Sequence, residues 1–245
     1  MKKAITIDFW NTLYDSTNGL ERNKYRQRVL INELDKYGIM VLAEEYDRAM
    51  KATWDFFEIT WKNEHKTPTA RECVEYFWDF VKVPKDMDSI EIVTQAFEDS
   101  VIVHKPKLIS NVKESLDILS NEFDLAIISD TGFSPGNILK QLMIEDDIEK
   151  YFKGFSFSNE TGFSKPNENA FKIALEQLGV SADNSLHIGD IEHTDIVGSK
   201  NYGMKSIRFS GSVTEYTTRN NSKSTLADYE TDSWTDIVSK INDLV

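Results

Sequence analysis

Asp8 is the first of several chemically competent side chains that follow short apolar runs in this chain. It lies near the end of the run Ala4–Phe9 and is followed by the turn-forming residues Asn11 and Thr12. A carboxylate at the end of a buried strand can attack a phosphoryl group, because aspartate serves as a covalent phosphate acceptor. The same residue can also cap a local bend of the backbone without any catalytic role. Asp8 alone leaves both interpretations open.

Ser129 and Lys165 occupy comparable positions further along the chain. Ser129 ends a second apolar run, and with the backbone amides of Asp130 and Thr131 it can donate hydrogen bonds to phosphate oxygens. The alternative is an ordinary helix cap or turn. Lys165 precedes a proline and a predicted helix, where its ammonium group can neutralise a nucleophilic carboxylate and phosphoryl oxygens. A Lys–Pro pair is equally typical of an exposed loop, so neither residue decides the matter by itself.

The segment Leu186–Asp195 is the most specific of the four. It contains a strand-like run, a glycine turn and two carboxylates, Asp190 and Asp195. Mg²⁺ prefers oxygen ligands and commonly takes only one or two protein carboxylates, with water and substrate phosphate completing its shell. The two aspartates therefore predict a Mg²⁺ site, although Asp195 could equally be an acidic residue in the first turn of a helix.

Two histidines, His187 and His193, belong to this same segment. The chain has 4 histidines and 1 cysteine, and they lack the spacing of a zinc site. We interpret His187 as a strand residue and keep His193 as an outside candidate for proton transfer.

A parallel sheet would bring these residues together. The apolar runs that predict strands are Ala4–Phe9, Leu125–Ser129, Gly154–Phe157, Leu186–Gly189 and Ser206–Phe209. The segments with helical periodicity between them are Asn111–Leu119, Pro135–Met143, Glu168–Leu178 and Thr194–Tyr202. After the last strand we expect a polar loop over Ser210–Lys223, a final strand and a terminal helix around Trp234–Ile241. Strands alternating with helices predict an α/β fold with a doubly wound, Rossmann-like parallel sheet, in which ligands bind beyond the carboxyl ends of the strands.

A long segment between the first and second predicted strands lacks strand-like runs. From about residue 20 to residue 103 it has aromatic and aliphatic residues at helical spacing, with prolines where helices should start or stop. We therefore predict an all-helical insertion, with residues 1–15 and 106–245 forming the α/β core and residues 16–105 the helical domain. Its aromatic side chains, such as Trp54, Phe57 and Trp61, are expected to form the core of a bundle rather than to contact substrate.

The composition restricts the partners and the compartment. The 41 acidic residues exceed the 28 basic ones, giving a net charge of -13, so long-range electrostatics disfavours nucleic acid and anionic membranes. The single cysteine, Cys73, excludes an intrachain disulfide and fits a reducing compartment. Asp8 interrupts the N-terminal apolar run too early for a signal sequence, and no stretch approaches the roughly 20 apolar residues of a membrane span. We expect a cytoplasmic protein with no nucleic acid or membrane partner; the oligomeric state is not predicted.

The order of the four segments resembles the four motifs of the haloacid dehalogenase superfamily, and the helical insertion resembles the cap of its C1-type members. Together these features span nearly the whole chain. The resemblance implies that Asp8 is the nucleophile, Ser129 a donor to phosphate oxygens and Lys165 the residue that organises charge. It also implies that Asp190 is a Mg²⁺ ligand, and that Asp195 is a second ligand or an outer-shell carboxylate that orients bound water.

Trp10 is where the chain departs from the family pattern. In phosphatases of the superfamily a second aspartate, two residues after the nucleophile, protonates the leaving alcohol and later activates water. An indole has no titratable proton near neutral pH, so Trp10 cannot do this work. The family's metal is ligated at this position through the backbone carbonyl, which Trp10 keeps. Asn11 and Thr12 would shape the turn around Asp8.

The resemblance thus implies a Mg²⁺-dependent phosphohydrolase that acts on a small phosphorylated metabolite through an aspartyl-phosphate. Loss of the acid should weaken turnover most for poor leaving groups, since acid–base catalysis contributes about 10²–10⁴-fold. His193, Asp130 or a side chain of the cap could supply the proton instead. One alternative is a catalytically weak member that binds a phosphometabolite or a protein partner. The other is a 2-haloacid dehalogenase, since these enzymes also lack the second aspartate but work without metal.

Overall fold

The structure is a computed structural model that describes residues 2–84, 86–214, 217–218, 221 and 224–244, with Met87 described by its backbone alone. Its strands are β1 (Ala4–Ile7), β2 (Asp124–Ser129), β3 (Phe152–Phe157), β4 (Ser185–Gly189), β5 (Lys205–Phe209) and β6 (Tyr229–Thr231). They form a six-stranded parallel sheet in the order β3-β2-β1-β4-β5-β6. The predicted α/β class with a doubly wound parallel sheet is confirmed.

Helices pack against both faces of the sheet, and others lie beyond its carboxyl edge. They are α1 (Gly19–Asp35), α2 (Ala43–Glu64), α3 (Ala70–Val81), α4 (Met87–Val103), α5 (Val112–Leu119), α6 (Gly136–Glu145), α7 (Ser158–Thr161), α8 (Glu168–Leu178), α9 (Val197–Asn201) and α10 (Trp234–Leu244). In β2, Leu125 and Ile127 face one apolar cluster, whereas Ala126 and Ile128 face a second cluster that includes α8. Because both faces are buried, the central strands are continuous apolar runs rather than alternating ones.

β1 is shorter than the predicted strand Ala4–Phe9. The amide of Asp8 still donates to β4 at 2.9 Å, but the carbonyl of Phe9 accepts from the amide of Leu13 at 3.0 Å. The chain therefore turns immediately after Asp8, and Asn11 takes up a left-handed conformation with φ 58°. Asp8 consequently stands at the point where the backbone leaves the sheet.

A wide turn replaces the first part of the predicted helix Thr194–Tyr202. The segment Glu192–Ile196 forms a π-helical turn, and α9 begins only at Val197. Within the turn, the Asp195 carboxylate accepts a hydrogen bond from the amide of Ile191 at 2.9 Å. The side chain thus folds back over the start of the turn, and such wide turns are frequent at functional sites.

The helices α1–α4 have an apolar cluster of their own. Tyr46, Phe77 and Trp78 lie in it, and Phe133 from the loop after β2 also joins it. This cluster is distinct from the two that flank the sheet. The division into a core and a helical domain at residues 16 and 105 stays an interpretation, and we refer to α1–α4 as the helical layer.

The C-terminal part of the chain forms the last strand of the sheet and a helix that contacts the turn after β1. The polar loop predicted over residues 210–223 falls partly on residues 215–216, 219–220 and 222–223, which lie outside the described residues. β6 and α10 follow, and Trp234 Nε1 donates to the carbonyl of Thr12 at 2.9 Å. Within the described ranges, none of the helices combines the length and the hydropathy needed to span a bilayer.

Candidate active site

A cavity of about 520 Å³ lies between the carboxyl edge of the sheet and the helices α1 and α2. Its floor consists of residues that follow the strands: Asp8 after β1, Asp130 after β2, and Asp190 after β4, together with Lys165 from the segment before α8. Parallel strands present their carboxyl ends at the same edge, so side chains distant in sequence meet there. The structure thus brings all four predicted segments to one place.

Lys165 lies at the centre of this floor and is 2% exposed. Its Nζ atom donates to Asp8 Oδ1, to Asp195 Oδ1 at 2.6 Å and to the carbonyl of Ile128 at 3.1 Å. Burial opposes a charge on this lysine, but the carboxylates of Asp195 and Asp8 outweigh it and raise its pKa above the usual range. The lysine is therefore an ammonium ion that holds the two carboxylates together.

Asp8 presents its buried carboxylate to the cavity. Burial raises the pKa of Asp8 to about 7, although Lys165 acts against the rise and Asp195 adds to it. Any further cation beside Asp8 would favour the carboxylate, which is the nucleophilic form. The structure thus places a carboxylate that faces the cavity beside a neutralising ammonium group.

Asp195 uses both of its carboxylate oxygens within the protein. Oδ1 accepts from Lys165 and pairs with His187 Nε2 at 3.1 Å, while Oδ2 accepts from the amide of Ile191. Burial would raise its pKa, but Lys165 and His187 hold the pKa of Asp195 below its usual range. A direct metal-ligand role does not fit these contacts, so of the two roles expected for Asp195 the structure favours the outer-shell one. His187 is a buried residue of β4 whose Nδ1 pairs with Thr6 Oγ1 at 2.8 Å.

Asp190 differs from Asp195, because its Oδ2 atom is buried without a hydrogen-bond partner among the described residues. Burial, followed by the charges of Asp8 and Asp195, raises the pKa of Asp190 well above its usual range. A divalent cation would remove the free-energy cost of these crowded carboxylates. Across the described ranges no three His, Cys, Asp or Glu side chains form a metal cage. The neighbouring carboxylates of Asp8 and Asp190 suit Mg²⁺, which keeps several waters and needs only one or two protein carboxylates.

Ser129 and Thr131 have different surroundings. Ser129 Oγ is buried and has no hydrogen-bond partner in the described part of the chain, so it has a donor to offer. The Thr131 amide instead donates to Ser158 Oγ at 2.8 Å. Its expected part in phosphate binding therefore does not fit the structure, because the chain after β2 turns towards α7 and α6 begins only at Gly136.

The carboxylate of Asp130, which the sequence suggested as an alternative proton donor, lines the cavity. Its Oδ1 accepts from the amide of Lys165 at 2.8 Å, and its Oδ2 accepts from Trp61 Nε1 at 2.9 Å. Burial raises the pKa of Asp130 to about 6, against the opposing effects of Lys165 and Trp61. His193, the other side chain considered for proton transfer, is exposed and does not line the cavity. Asp130 is therefore better placed than His193 to transfer a proton to or from a ligand in the cavity.

Trp10 lines the same cavity with a half-buried side chain. Its ring packs edge-on against Phe9 with a centroid separation of 5.1 Å, and the guanidinium of Arg22 lies 5.8 Å from its centroid. The hydrogen bonds described at this turn leave the carbonyl oxygen of Trp10 without a donor. Asn11 Oδ1 accepts from Ser16 Oγ at 2.9 Å, which helps to fix the turn.

The helical layer contributes aromatic and basic residues to the cavity. Trp54, Phe57 and Trp61 of α2 line it. Phe57 packs against the apolar cluster of the layer, as expected, and also lines the cavity. Trp61 is buried, as expected of a core residue, but it lies outside that cluster and donates to Asp130. The expectation of a core position is wrong for Trp54, which is 40% exposed. Arg22 and Arg26 of α1 also line the cavity, although they were not among the site residues predicted from the sequence. Their spacing of four residues was visible, but nothing in the sequence shows which face of α1 points to the cavity.

A sequence profile of haloacid dehalogenase-like hydrolases matches residues 40–209. Glyceraldehyde 3-phosphate phosphatase from Pyrococcus abyssi is 36% identical over 89 residues, which are 36% of this chain and 35% of that protein. The protein of the same name from Methanocaldococcus jannaschii is 24% identical over 216 residues, or 85% of each chain. Matches to the first three curated relatives span 35%, 43% and 32% of their lengths, well under two thirds.

Solved structures share the fold over the whole chain. A 2-haloacid dehalogenase from Pseudomonas syringae pv. Tomato DC3000 superposes with a TM-score of 0.71 and 19% identity over 100% of both chains. The protein YfnB from Bacillus subtilis, solved with bound magnesium, gives a TM-score of 0.65 and 19% identity over 98% of this chain and 99% of its own. At such identities the likeness establishes the fold alone.

Proposed function

Since this chain belongs to the haloacid dehalogenase-like hydrolases, we propose that it is a Mg²⁺-dependent phosphatase that acts on a small phosphorylated metabolite through an aspartyl-phosphate. The observation that carries the proposal is the floor of the cavity. There, a buried ammonium group on Lys165 neutralises Asp8, and Asp190 presents a buried carboxylate oxygen without a partner among the described residues. A nucleophile, a charge organiser and a cation-demanding carboxylate are the parts that phosphoryl transfer to a protein carboxylate needs.

The metal site would comprise Asp8, Asp190 and the backbone carbonyl of Trp10. The unpartnered Asp190 Oδ2 and the carbonyl that no described donor occupies support this set. Bound Mg²⁺ would neutralise charge on the phosphoryl oxygens and on the carboxylates around them. Asp195 would act from the second layer, because its oxygens are already bonded to Lys165, His187 and an amide.

The reaction would proceed in two displacements. The Asp8 carboxylate attacks phosphorus, the ester bond breaks, and the electron pair leaves with the substrate oxygen, which takes up a proton. Water then attacks phosphorus and releases phosphate and the free carboxylate. During both steps Lys165 and the hydroxyl of Ser129 would bind oxygens of the phosphoryl group.

Proton transfer is the step for which this chain lacks the family's usual residue. The Trp10 indole has no titratable proton, and its ring packs against Phe9 and Arg22 instead. Asp130 would be the proton donor, because it lines the cavity and its pKa is raised to about 6. A group with a pKa near the working pH is suited to general acid catalysis.

The substrate would be a phosphorylated metabolite of sugar-like size. The cavity of about 520 Å³ falls in the range of about 300–1,000 Å³ typical of small-molecule sites. Curated relatives named glyceraldehyde 3-phosphate phosphatase support the same class of compound. The demand of Asp190 for a cation argues against the metal-free 2-haloacid dehalogenase alternative, even though one solved neighbour bears that name. A binding protein without catalysis would not need the Asp8–Lys165 pair.

A phosphate-release assay tests the proposal. Purified protein is offered p-nitrophenyl phosphate, acetyl phosphate and a panel of sugar and nucleoside phosphates with Mg²⁺ or EDTA, and 2-chloropropionate with EDTA. We expect phosphate release only with Mg²⁺, and none from Asp8→Asn or Asp190→Asn. The exposed Asp183→Asn serves as a matched control that should keep full activity. Wild-type release no greater than that of Asp8→Asn would overturn the proposal, and chloride release in EDTA would establish the dehalogenase instead.

A further inference from the structure

Two arginines of α1 project into the part of the cavity formed by the helical layer. Arg22 and Arg26 are one helical turn apart, so they lie on the same face of α1. Both line the cavity, with exposures of 7% and 9%. Arginines are seldom buried to this extent unless an anion or a carboxylate accompanies them.

Neither arginine forms an ion pair within the described ranges. Arg22 Nη1 donates to the backbone carbonyls of Thr17 at 2.7 Å and His104 at 3.1 Å. Arg26 Nη1 donates to Asn23 Oδ1 at 3.1 Å, and its Nε is buried without a hydrogen-bond partner among the described residues. Each guanidinium has five N–H donors, so most of them are left for another acceptor.

Three of the carboxylates that line the cavity accept hydrogen bonds from other groups, and the fourth, Asp190, belongs to the proposed metal site. Asp8 and Asp195 accept from Lys165, and Asp130 accepts from Trp61 and from the Lys165 amide. These acids lie at the sheet edge, whereas the arginines lie on α1. The cavity therefore has a second basic position in addition to the one at Lys165.

Aromatic rings account for part of the burial of the two arginines, but they do not provide acceptors for the guanidinium N–H groups. Arg26 lies 4.8 Å from the ring centroid of Phe133 and 5.7 Å from that of Phe97, and Arg22 lies over Trp10. Such stacking covers the faces of a guanidinium, while its N–H groups point outward in its own plane. Burial, together with the charge of Arg22, lowers the pKa of Arg26 to about 9, which reflects the cost of two like charges without a counter-ion. A bound anion would remove that cost.

We infer that Arg22 and Arg26 bind a second anionic group of the substrate, a carboxylate or a second phosphate ester, while the phosphoryl group to be transferred lies at Asp8. The inference rests on the proposed function for the position of the first phosphate. It assigns a substrate with two anionic groups, in contrast to glyceraldehyde 3-phosphate, which has one. Paired guanidinium groups suit both kinds of anion, because each offers parallel N–H donors to two oxygens.

Binding to the Asp8→Asn protein with Mg²⁺, measured by calorimetry, tests this without turnover. One pair of ligands is 3-phosphoglycerate and glycerol 3-phosphate, which differ by a carboxylate. The other pair is fructose 1,6-bisphosphate and fructose 6-phosphate, which differ by a phosphate ester. We expect one of the doubly anionic ligands to bind about tenfold or more tightly than its partner, the effect of a hydrogen bond to a charged group.

Substitutions on α1 identify the groups responsible. In the Asp8→Asn background, Arg26→Gln and Arg22→Gln should each abolish most of the preference and leave binding of the singly anionic ligand within about twofold. Arg26→Lys, which keeps the charge, should retain part of it. The exposed Arg28 on the same helix supplies a matched control, and Arg28→Gln should retain the full preference. Binding of the singly anionic ligand and the melting temperature show whether each variant is folded.

The outcomes separate this inference from the proposed phosphatase. Equal binding within both pairs, or a preference that survives both Gln substitutions, would overturn the second anion site even if phosphate release is confirmed. A preference that depends on Arg22 and Arg26 would support the site even in a protein that releases no phosphate. Weakened binding of both members of a pair to the same degree would also overturn it, because the arginines would then contact the shared phosphate.

Discussion

The ammonium group of Lys165 binds both Asp8 and Asp195, although the two carboxylates repel each other. The ammonium group is enclosed by protein, so the bonds it makes are stronger than they would be in water. Asp195 is held in turn by His187, and the position of the lysine therefore depends on β4 as well as on its own segment. Removing the lysine would leave two buried carboxylates without the cation that they share and destabilise the fold. Substitution of Trp10 is therefore a better test of the chemistry than substitution of Lys165.

Replacing Trp10 with aspartate restores the acid that the family pattern has at this position and this chain lacks. We expect Trp10→Asp to raise kcat for glycerol 3-phosphate by at least about tenfold relative to acetyl phosphate, as part of the ~10²–10⁴-fold that acid–base catalysis supplies. The acyl phosphate should gain little, because its leaving group departs without a proton. Trp10→Asn has the same shape without the acid and should show no such gain. Equal gains from Asn and Asp would mean that removal of the indole, not the acid, is responsible.

His187 gives the stability a defined pH dependence. Burial lowers its pKa below the ordinary value, so below about pH 6.5 the unfolded chain takes up a proton that the folded protein does not. The contribution of His187 is therefore present above about pH 6.5 and is lost as the pH falls. We expect the free-energy difference between wild type and His187→Gln to shrink below that pH, by up to about 1.4 kcal/mol per pH unit.

Urea unfolding at several pH values measures this difference. His193→Gln is the matched control, since this histidine is exposed in the turn that follows β4. The account of His187 fails if the His187→Gln difference is constant with pH, or if His193→Gln shows the same change.

The element that determines the site most closely is the strand–turn pair of β4 and the segment Glu192–Ile196. The side chain of Asp195 folds back against Gly189, where a Cβ atom would lie 2.3 Å from its Cγ. The wide turn and the glycine are therefore parts of one arrangement. It places Asp195 on Lys165 and His187 while leaving Asp190 facing the cavity.

Gly189→Ala tests this arrangement. The added methyl group has no space beside Asp195, so we expect a loss of about 1–3 kcal/mol in the free energy of unfolding, as for other overpacked positions. Phosphatase activity should fall as well, because Asp195 would shift away from Lys165. Gly132→Ala, where no atom lies within 4 Å of the added Cβ, should leave the melting temperature unchanged. Normal stability of Gly189→Ala would show that the turn can adjust at no cost.

Elements that local sequence patterns determine could be predicted, whereas those determined by contacts between distant segments could not. The strands were predicted to within about two residues, because burial on both faces leaves continuous apolar runs. The turn at Glu192–Ile196 was predicted as helix from Thr194 onward, since Asp195 is held by Lys165 and His187 from other segments and no local pattern shows these contacts. Similarly, the amide of Thr131 was misplaced because its acceptor, Ser158, lies in another segment. The orientation of α2 was likewise invisible, so Trp54 was assigned to a core.

At the scale of the whole molecule, three contacts connect the end of α2 to the core. Trp61 Nε1 donates to Asp130, the carbonyl of His65 accepts from the amide of Ser164 at 2.8 Å, and the hydroxyl of Thr67 pairs with Ser158. All three are next to the segments that carry Asp130 and Lys165. The helical layer is thus connected to the rest of the chain beside the floor of the cavity, and these contacts help to hold it over the cavity.

Trp61→Phe removes the indole donor but keeps most of the ring. We expect KM to rise several-fold with a smaller change in kcat, because a hydrogen bond to a charged group contributes about 1.5–3 kcal/mol and Asp130 keeps its bond to the Lys165 amide. Steady-state kinetics and amide hydrogen exchange of residues 61–67 measure the effect, and exchange should accelerate. Trp54→Phe is the matched control, since this tryptophan lines the cavity and is 40% exposed. The same KM change in both variants would contradict a specific role of the Trp61–Asp130 bond.

The two connections between the helical layer and the core run side by side. Asn18 Nδ2 donates to the carbonyl of Lys105 at 2.8 Å, and the amide of Asp15 donates to the carbonyl of Lys107 at 2.9 Å. A segment whose ends lie together can be replaced by one of different length without stretching the chain that receives it. We therefore propose that residues 19–103 are an exchangeable cassette. A different cassette could then give the chain a new selectivity, while Asp8, Lys165 and Asp190 stay where they are at the edge of the sheet.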